Sequence, residues 1–311
     1  MPSYSGVWTL TAQYQAQGAG NWPLPPLVGD IGLIAGGNQN VINYITITAT
    51  GNSIDFGDLL ASTSGLASCS SSTRGLFGGG ETGSRTNVIQ YVTIASVGNA
   101  TDFGDLTVAK GYLGGCSNST RGLFGGGDAT TNIISYVTIA TTGNATSFGD
   151  LTLARYSVGG LASSTRGVFF GGDNGAGERN IIDYVTIAST GNATDFGDLL
   201  TAEERVQGCA SSTRGVMAGG QSPTSNVIQY ITIASTGNAT DFGDLTVARN
   251  YTPGASNATR GVFCGGNDGG SGVNVMDYIT IASTGNATDF GDLLNTNFTT
   301  PAACSNSHGG L

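Results

Sequence analysis

The chain has 311 residues, a net charge of −10 and only 10% charged residues, against the ~25% of ordinary globular proteins. With a single lysine, Lys110, it offers no basic patch for a nucleic-acid backbone, and no apolar run approaches the ~18–20 residues of a membrane span. Its 52 glycines against 7 prolines, with abundant Thr, Ile and Val, point to turn-rich β structure and away from disorder.

Residues 1–28 stand outside the pattern that follows. The start, Met1-Pro2-Ser3-Tyr4, has no positive region ahead of an apolar one, so no secretory signal is expected. This segment carries both tryptophans, Trp8 and Trp22, with Tyr14 between them, and it ends Pro-Leu-Pro-Pro. So short and uncharged a stretch cannot form its own core. It either packs on the rest of its chain or docks into something else. We expect an anchoring arm, with Trp8, Tyr14 and Trp22 as its buried aromatic contacts.

From residue 29 onward one phrase recurs six times: Tyr-(Ile/Val)-Thr-Ile-Ala-Ser-Thr-Gly-Asn-Ala-Thr-Asp-Phe-Gly-Asp-Leu, near-identical at 184–199, 230–245 and 278–293. Its phenylalanines, Phe56, Phe103, Phe148, Phe196, Phe242 and Phe290, are 47, 45, 48, 46 and 48 residues apart. A period of about 40–50 residues marks a solenoid or a propeller. The units run about 29–74, 75–121, 122–166, 167–214, 215–260 and 261–311.

Within 156–199 four strands are predicted. Tyr156 to Ser163 leads through Ser-Thr-Arg-Gly into Val-Phe-Phe-Gly-Gly, and a polar loop precedes Asn180 to Ala188. Ser-Thr-Gly-Asn, whose Gly-Asn suits a tight hairpin with positive φ, then feeds Ala193 to Leu199. No helical periodicity of useful length is present. Four antiparallel strands in each of six units give an all-β, six-bladed propeller.

The chain ends explain how the ring closes. Cys304-Ser-Asn-Ser-His-Gly-Gly-Leu311 aligns without gaps with Cys116-Ser-Asn-Ser-Thr-Arg-Gly-Leu123, and the continuation appears at Gly32-Leu-Ile-Ala-Gly-Gly37. The C-terminus should therefore supply the innermost strand of a blade whose other strands come from 31–60, which removes a free edge.

Arg155 or Arg249 ahead of a strand, Phe-Phe-Gly-Gly at 169–172, Tyr184 and a closing aromatic, Phe196, together resemble the kelch repeats. The family pattern has Trp where Phe196 stands, and several units lack the first arginine, with Lys110 in one of them. The resemblance covers about 29–311. It implies a propeller, and says little of function because such propellers host enzymes, scaffolds and lectin-like binders.

Alternating strand direction places the first and third connections of each blade on one face, the second and the between-blade connection on the other. The first pair is uniform. Its arginines, Arg74, Arg121, Arg166, Arg214 and Arg260, are expected to share a face with the Phe-Gly-Asp aspartates Asp58, Asp105, Asp150, Asp198, Asp244 and Asp292, and to pair with them as architecture. The second pair varies in length and chemistry at 81–87, 128–132, 173–180, 221–226 and 267–274. Such variation is either drift in exposed loops or a binding rim. The candidate rim residues are Glu81, Arg85, Tyr112, Asp128, Tyr156, Asp173, Glu178, Arg179, Glu203, Glu204, Tyr251 and Asp268.

Catalytic motifs are scarce. Asp-Phe-Gly occurs five times without a nucleotide loop, and Gly-Gly-Gly at 78–80 and 125–127 ends strands with no helix to follow. One histidine, His308, excludes a Ser-His-Asp triad and a multi-histidine metal site. Glycosidase carboxylate pairs stay open, with no pair marked above the rest. Four of the five cysteines, Cys69, Cys116, Cys209 and Cys304, fall in one slot of different repeats, a poor arrangement for disulfides; all five read as small buried thiols of a chain made in a reducing cytoplasm. No catalytic residue, metal or cofactor is assigned.

The pattern Gly-Val-Trp-x-Leu, Gln-Tyr and Gly-Asn-Trp-Pro in 1–28 resembles segments of bacteriophage tail-fibre and appendage proteins, as do the near-identical tandem units. That resemblance implies a non-enzymatic virion protein, present in several copies, held to other virion proteins by its arm and binding a host surface glycan, a host protein or a neighbouring subunit. The alternatives are a glycan-binding or glycan-cleaving propeller and an intracellular kelch scaffold.

Overall fold

The computed structural model describes residues 26–128, 131–221, 223–296 and 298–311. Trp8, Tyr14 and Trp22 lie outside the described residues. Six four-stranded antiparallel sheets follow one another. The first blade joins β1 (Ile31–Gly36), β2 (Gln39–Thr46) and β3 (Ile54–Thr63) to the last strand, β24 (Pro301–Ser305), in the order β24-β1-β2-β3. The second holds β4 (Ala67–Ser70), β5 (Arg74–Gly78), β6 (Val88–Thr93) and β7 (Thr101–Asp105). Blades three to six repeat this with β8 to β11 (114–150), β12 to β15 (159–198), β16 to β19 (207–244) and β20 to β23 (254–292). Inner strands touch in a closed circuit, β24 to β4, β8, β12, β16, β20 and back to β24. The propeller is six-bladed, as the period requires. No helix among the described residues is long and apolar enough to cross a membrane, which says nothing of β-barrels.

The repeated phrase is the seam between blades. In blade two, Ile89 faces Gly104 while Gln90 faces Asp102, so Phe103 is the extra residue of a bulge. The bulge turns its ring inward, where it is buried and meets Tyr91 edge-on at 5.8 Å. All six blades carry this Tyr–Phe pair, at 5.7–6.2 Å.

The Gly-Asn step is not the hairpin turn that its composition suggests. The turn lies earlier, closed in blade three by Thr141 N donating to Thr138 O. Gly143 and Ala145 then run on to donate to Phe103 O and Asp105 O of the preceding blade, while Asp105 N donates to Asn144 Oδ1 at 3.0 Å. Each outer strand is thus partly covered by its neighbour, which protects an otherwise open edge. Gly104, at φ 145°, accommodates this approach: a Cβ there would sit 2.4 Å from Gly143 O. Gly104→Ala should cost roughly 2–3 kcal/mol by chemical denaturation, from strain and collision together. Gly98→Ala, at φ 154° but with nothing within 4 Å of a Cβ, carries the strain without the collision and should cost less, about 1–2 kcal/mol.

The arginine expectation needs correction. Arg74 faces Thr93 at one end of β6 and Asp105 faces Val88 at the other, so arginines and aspartates occupy opposite strand ends. Antiparallel pairing dictates this, because the end of a fourth strand lies beside the start of the third. Each guanidinium sits over the tyrosine of its own blade, at 4.3–4.8 Å from Tyr91, Tyr136, Tyr184, Tyr230 or Tyr278. Its Nη1 donates to a carbonyl of the next blade: Arg74 to Ile139, Arg121 to Ile187, Arg166 to Ile233, Arg214 to Ile281 and Arg260 to Ile47. Blade one has no such arginine, and there Leu27 N donates to Ala95 O instead.

Beyond β24 the chain leaves the blade. Gly310 and Leu311 align with the same repeat positions as Gly32 and Leu33, and β1 already fills them. The tail crosses the mouth of the central channel on the uniform face. His308 Nε2 lies 3.2 Å from Ser70 O and 3.3 Å from Ser117 Oγ, and Gly309 N donates to Ala210 O. Gly310 N donates to His308 Nδ1, which fixes a neutral ring with its proton on Nε2. Burial pushes the His308 pKa down to about 4. The neutral ring therefore contributes stability fully present above pH ~6.5 and lost progressively as pH falls toward 4, about 3 kcal/mol in all. Denaturation midpoints from pH 7 to 4 should fall less steeply in His308→Gln than in the parent.

Candidate functional site

The opposite mouth of the channel is built from the loops that vary. Four residues before the cysteine slot of each inner strand stand Gly65, Tyr112, Ser157, Arg205, Tyr251 and Thr300, one from each blade. The first five have φ of 49–65°. They are linked in series: Tyr112 N donates to Gly65 O, Ser157 N to Tyr112 O, Arg205 N to Ser157 O and Tyr251 N to Arg205 O, at 2.7–3.1 Å. Gly65 N donates to Thr300 Oγ1 at 3.2 Å. Left-handed backbone costs a non-glycine residue ~1 kcal/mol or more, and a run of such residues around one opening is a functional pointer. The chain must turn sharply here, from an outer strand into the channel.

Above this ring lies a cavity of about 870 Å³, with Arg85, Tyr112, Asp128, Tyr156, Ser157, Arg205, Gln221, Asn250, Tyr251 and Asn267 among its walls. Tyr112 and Tyr251, from opposite blades, meet with ring centroids 5.9 Å apart and close the channel. Arg85 sits 5.0 Å over the Tyr112 ring and Arg205 5.2 Å over that of Tyr251. The Tyr251 hydroxyl lies 2.8 Å from Ser157 Oγ, and burial pushes its pKa well up, keeping it a neutral phenol.

Both arginines that line the opening are paired. Arg85 pairs with Glu81 at 2.5 Å and with Asp128 at 2.6 Å. Arg205 pairs with Glu204 at 2.9 Å and donates to Gln221 Oε1, which also accepts from Asn250 Nδ2. Burial raises the pKa of Glu204 and of Tyr156.

Of the rim residues expected from the sequence, Arg85, Tyr112, Asp128, Tyr156 and Tyr251 line the cavity. Glu81 and Glu204 stand behind the arginines as counter-charges. Asp173 and Glu178 bridge each other in the loop of blade four, where Asp173 also pairs with Tyr156 through the backbone. Arg179 turns to Asn174 at 2.8 Å, and the exposed Asp268 accepts from Gly270 and Ser271 of its own loop. Glu203 is buried beneath the rim. It occupies the slot of Arg155 and Arg249, held by Thr201 Oγ1 at 2.8 Å, and its pKa is raised by burial.

Sequence reasoning missed Arg205, Ser157 and Asn250, while Gln221 and Asn267 fall in the varying segments 221–226 and 267–274 without having been singled out. Alignment of the repeats on the cysteine slot would have found the first two, since that column is the one in which all units face the opening.

The remaining chemistry is structural. All five cysteines are free and buried. Burial pushes the thiols of Cys116, Cys209 and Cys304 up to about 12, so they are not nucleophiles. Among the described residues, no group of three or more His, Cys, Asp or Glu side chains is arranged to hold a metal ion. No protein-family model matches the chain, and no curated protein matches it. The likenesses to kelch repeats and to phage appendage segments are therefore likenesses of motif.

Proposed function

We propose that this chain is a non-enzymatic recognition module of a virion appendage, a propeller that binds its ligand at the loop-built mouth. One observation carries the recognition reading. Equivalent positions that hold blades together repeat almost without change, whereas the six positions around the mouth carry Gly, Tyr, Ser, Arg, Tyr and Thr, and all but Gly65 line one cavity. Repeat proteins recognise ligands where their units differ.

The virion assignment rests on the motifs of residues 1–28 and of the tandem units. Polarity is consistent with it. Leu27 and Asp30 lie against Ala95 and Asn257 on the uniform face, so the first described residues of the chain are on the side opposite the cavity. An arm anchored through Trp8, Tyr14 and Trp22 to another virion protein would leave the mouth facing outward.

A glycan-cleaving reading has one observation in its favour, the raised pKa of the buried Glu204 beside the opening. Arg205 holds that carboxylate, which suits a counter-charge better than a general acid. For the main reading, deletion of residues 1–28 should leave a folded propeller that is absent from purified particles. Particles carrying Arg205→Gly should assemble normally yet adsorb to host cells about tenfold less. Incorporation of the deleted form, or unchanged adsorption of the variant, would overturn it.

A further inference from the structure

We infer that the cavity binds a neutral oligosaccharide, an assignment that rests on the mouth being the recognition site. Charge decides against the main competitors. Both arginines are neutralised from within, Arg85 by Glu81 and Asp128, Arg205 by Glu204. Asp173 and Glu178 are close enough to Tyr156 to raise its pKa, and the whole chain carries −10. An anionic ligand would find no uncommitted cation among the described lining residues and would approach against a repulsive field. A cationic ligand fares no better, because Arg85 and Arg205 already lie over the Tyr112 and Tyr251 rings where it would bind.

What the cavity offers is suited to hydroxyl groups on an otherwise apolar ring. Gln221 and Asn267 present amide N–H groups, their oxygens already accepting from Arg205 and Asn250 and from Gly269 N, while Asn250 presents its amide oxygen and Thr224, Thr299 and Thr300 present hydroxyls. Adjacent sugar hydroxyls likewise donate and accept at once, so such pairs are satisfied without charge. Tyr156, which also lines the cavity, supplies flat apolar surface for the C–H face of a pyranose. A volume of about 870 Å³ lies in the upper part of the ~300–1,000 Å³ range of small-ligand sites, enough for several linked sugars.

The test exploits the glycine already tolerated in this column. Gly65 has φ 58° and Tyr112 56°, so Tyr112→Gly and Tyr251→Gly place glycine in backbone it adopts without strain. Full-length protein is titrated calorimetrically with neutral glucan, galactan and mannan oligosaccharides, with uronic-acid and sialylated oligosaccharides, and with a synthetic peptide of residues 5–26. One neutral series should bind with an affinity that hardly changes from low to high salt and falls about tenfold or more in either variant, while both variants still unfold cooperatively.

Preference for an acidic glycan with strong salt dependence would overturn the assignment, as would binding of the peptide. So would variants that bind the neutral sugar as well as the parent. If no sugar binds but Arg205→Gly still abolishes attachment to host cells, the saccharide is wrong and the mouth stands. Attachment unaffected by Arg205→Gly removes both. New reducing ends released from a bound oligosaccharide would replace recognition with hydrolysis.

Discussion

Arg155→Met should lower the unfolding free energy by about 3–5 kcal/mol, because it leaves the Asp183 carboxylate charged and alone in the interior. Both side chains are fully buried, with Nη2 2.9 Å from Oδ2. Asp183 keeps only Thr152, whose Oγ1 donates to it at 2.6 Å. Removing both charges gives a different result in different blades. Arg155 has two nitrogens, Nε and Nη1, buried without a hydrogen-bond partner among the described residues. Arg249, its counterpart in blade six, is served by Asp277 Oδ2, Thr252 Oγ1 and the carbonyls of Phe263 and Val247. Arg155→Met with Asp183→Leu should therefore recover the parent's stability to within about 1 kcal/mol, while Arg249→Met with Asp277→Leu stays well below it. Guanidinium denaturation of the three variants decides the point; equal recovery in both blades would show that the missing bonds of Arg155 carry no cost.

Truncation after Thr300 should abolish cooperative folding altogether. It removes β24, which pairs with β1 along Gly32 to Gly36, and it removes the tail that ties blade one to Ser70, Ser117 and Ala210. Leu33 and Ile34, fully buried in the intact chain, would then sit on an exposed strand edge. Size-exclusion chromatography should show aggregates, and the amides of Leu33 to Ala35 should exchange at once. His308→Gln, which leaves β24 in place, should elute at the parent's volume. A soluble, cooperatively melting truncation would mean that five blades and a remnant suffice.

The repeat made the fold legible. Spacing of Phe56 to Phe290 gave the blade number, and the alignment of Cys304 to Leu311 with Cys116 to Leu123 gave the closure. Even the diversion of the tail is latent there, since Gly310-Leu311 and Gly32-Leu33 compete for one position. The site was half legible. Tyr112 and Tyr251 stood out as aromatics in variable segments, but Arg205 was masked by the two glutamates before it, and Ser157 by its ordinary chemistry. Neither the positive φ of these residues nor the bond from each to the next blade leaves a mark in local sequence. The arginine clamps escaped for a related reason. Arg74 reaches a carbonyl 65 residues onward, in a different repeat, whereas reasoning within one repeat proposed the nearest acid.

The strand that leads out of the arm, β1, is bonded along both sides, to β2 and to β24. If the arm is tethered and the far opening grips a surface, tension enters the domain along this strand. Two ladders would then resist sliding together, so that rupture needs many bonds to fail at once, whereas peeling would break them singly. Resistance of that kind is a rate property, governed by the height of the unfolding barrier. The same closure that completes the ring would let a small, weakly charged module carry a mechanical load.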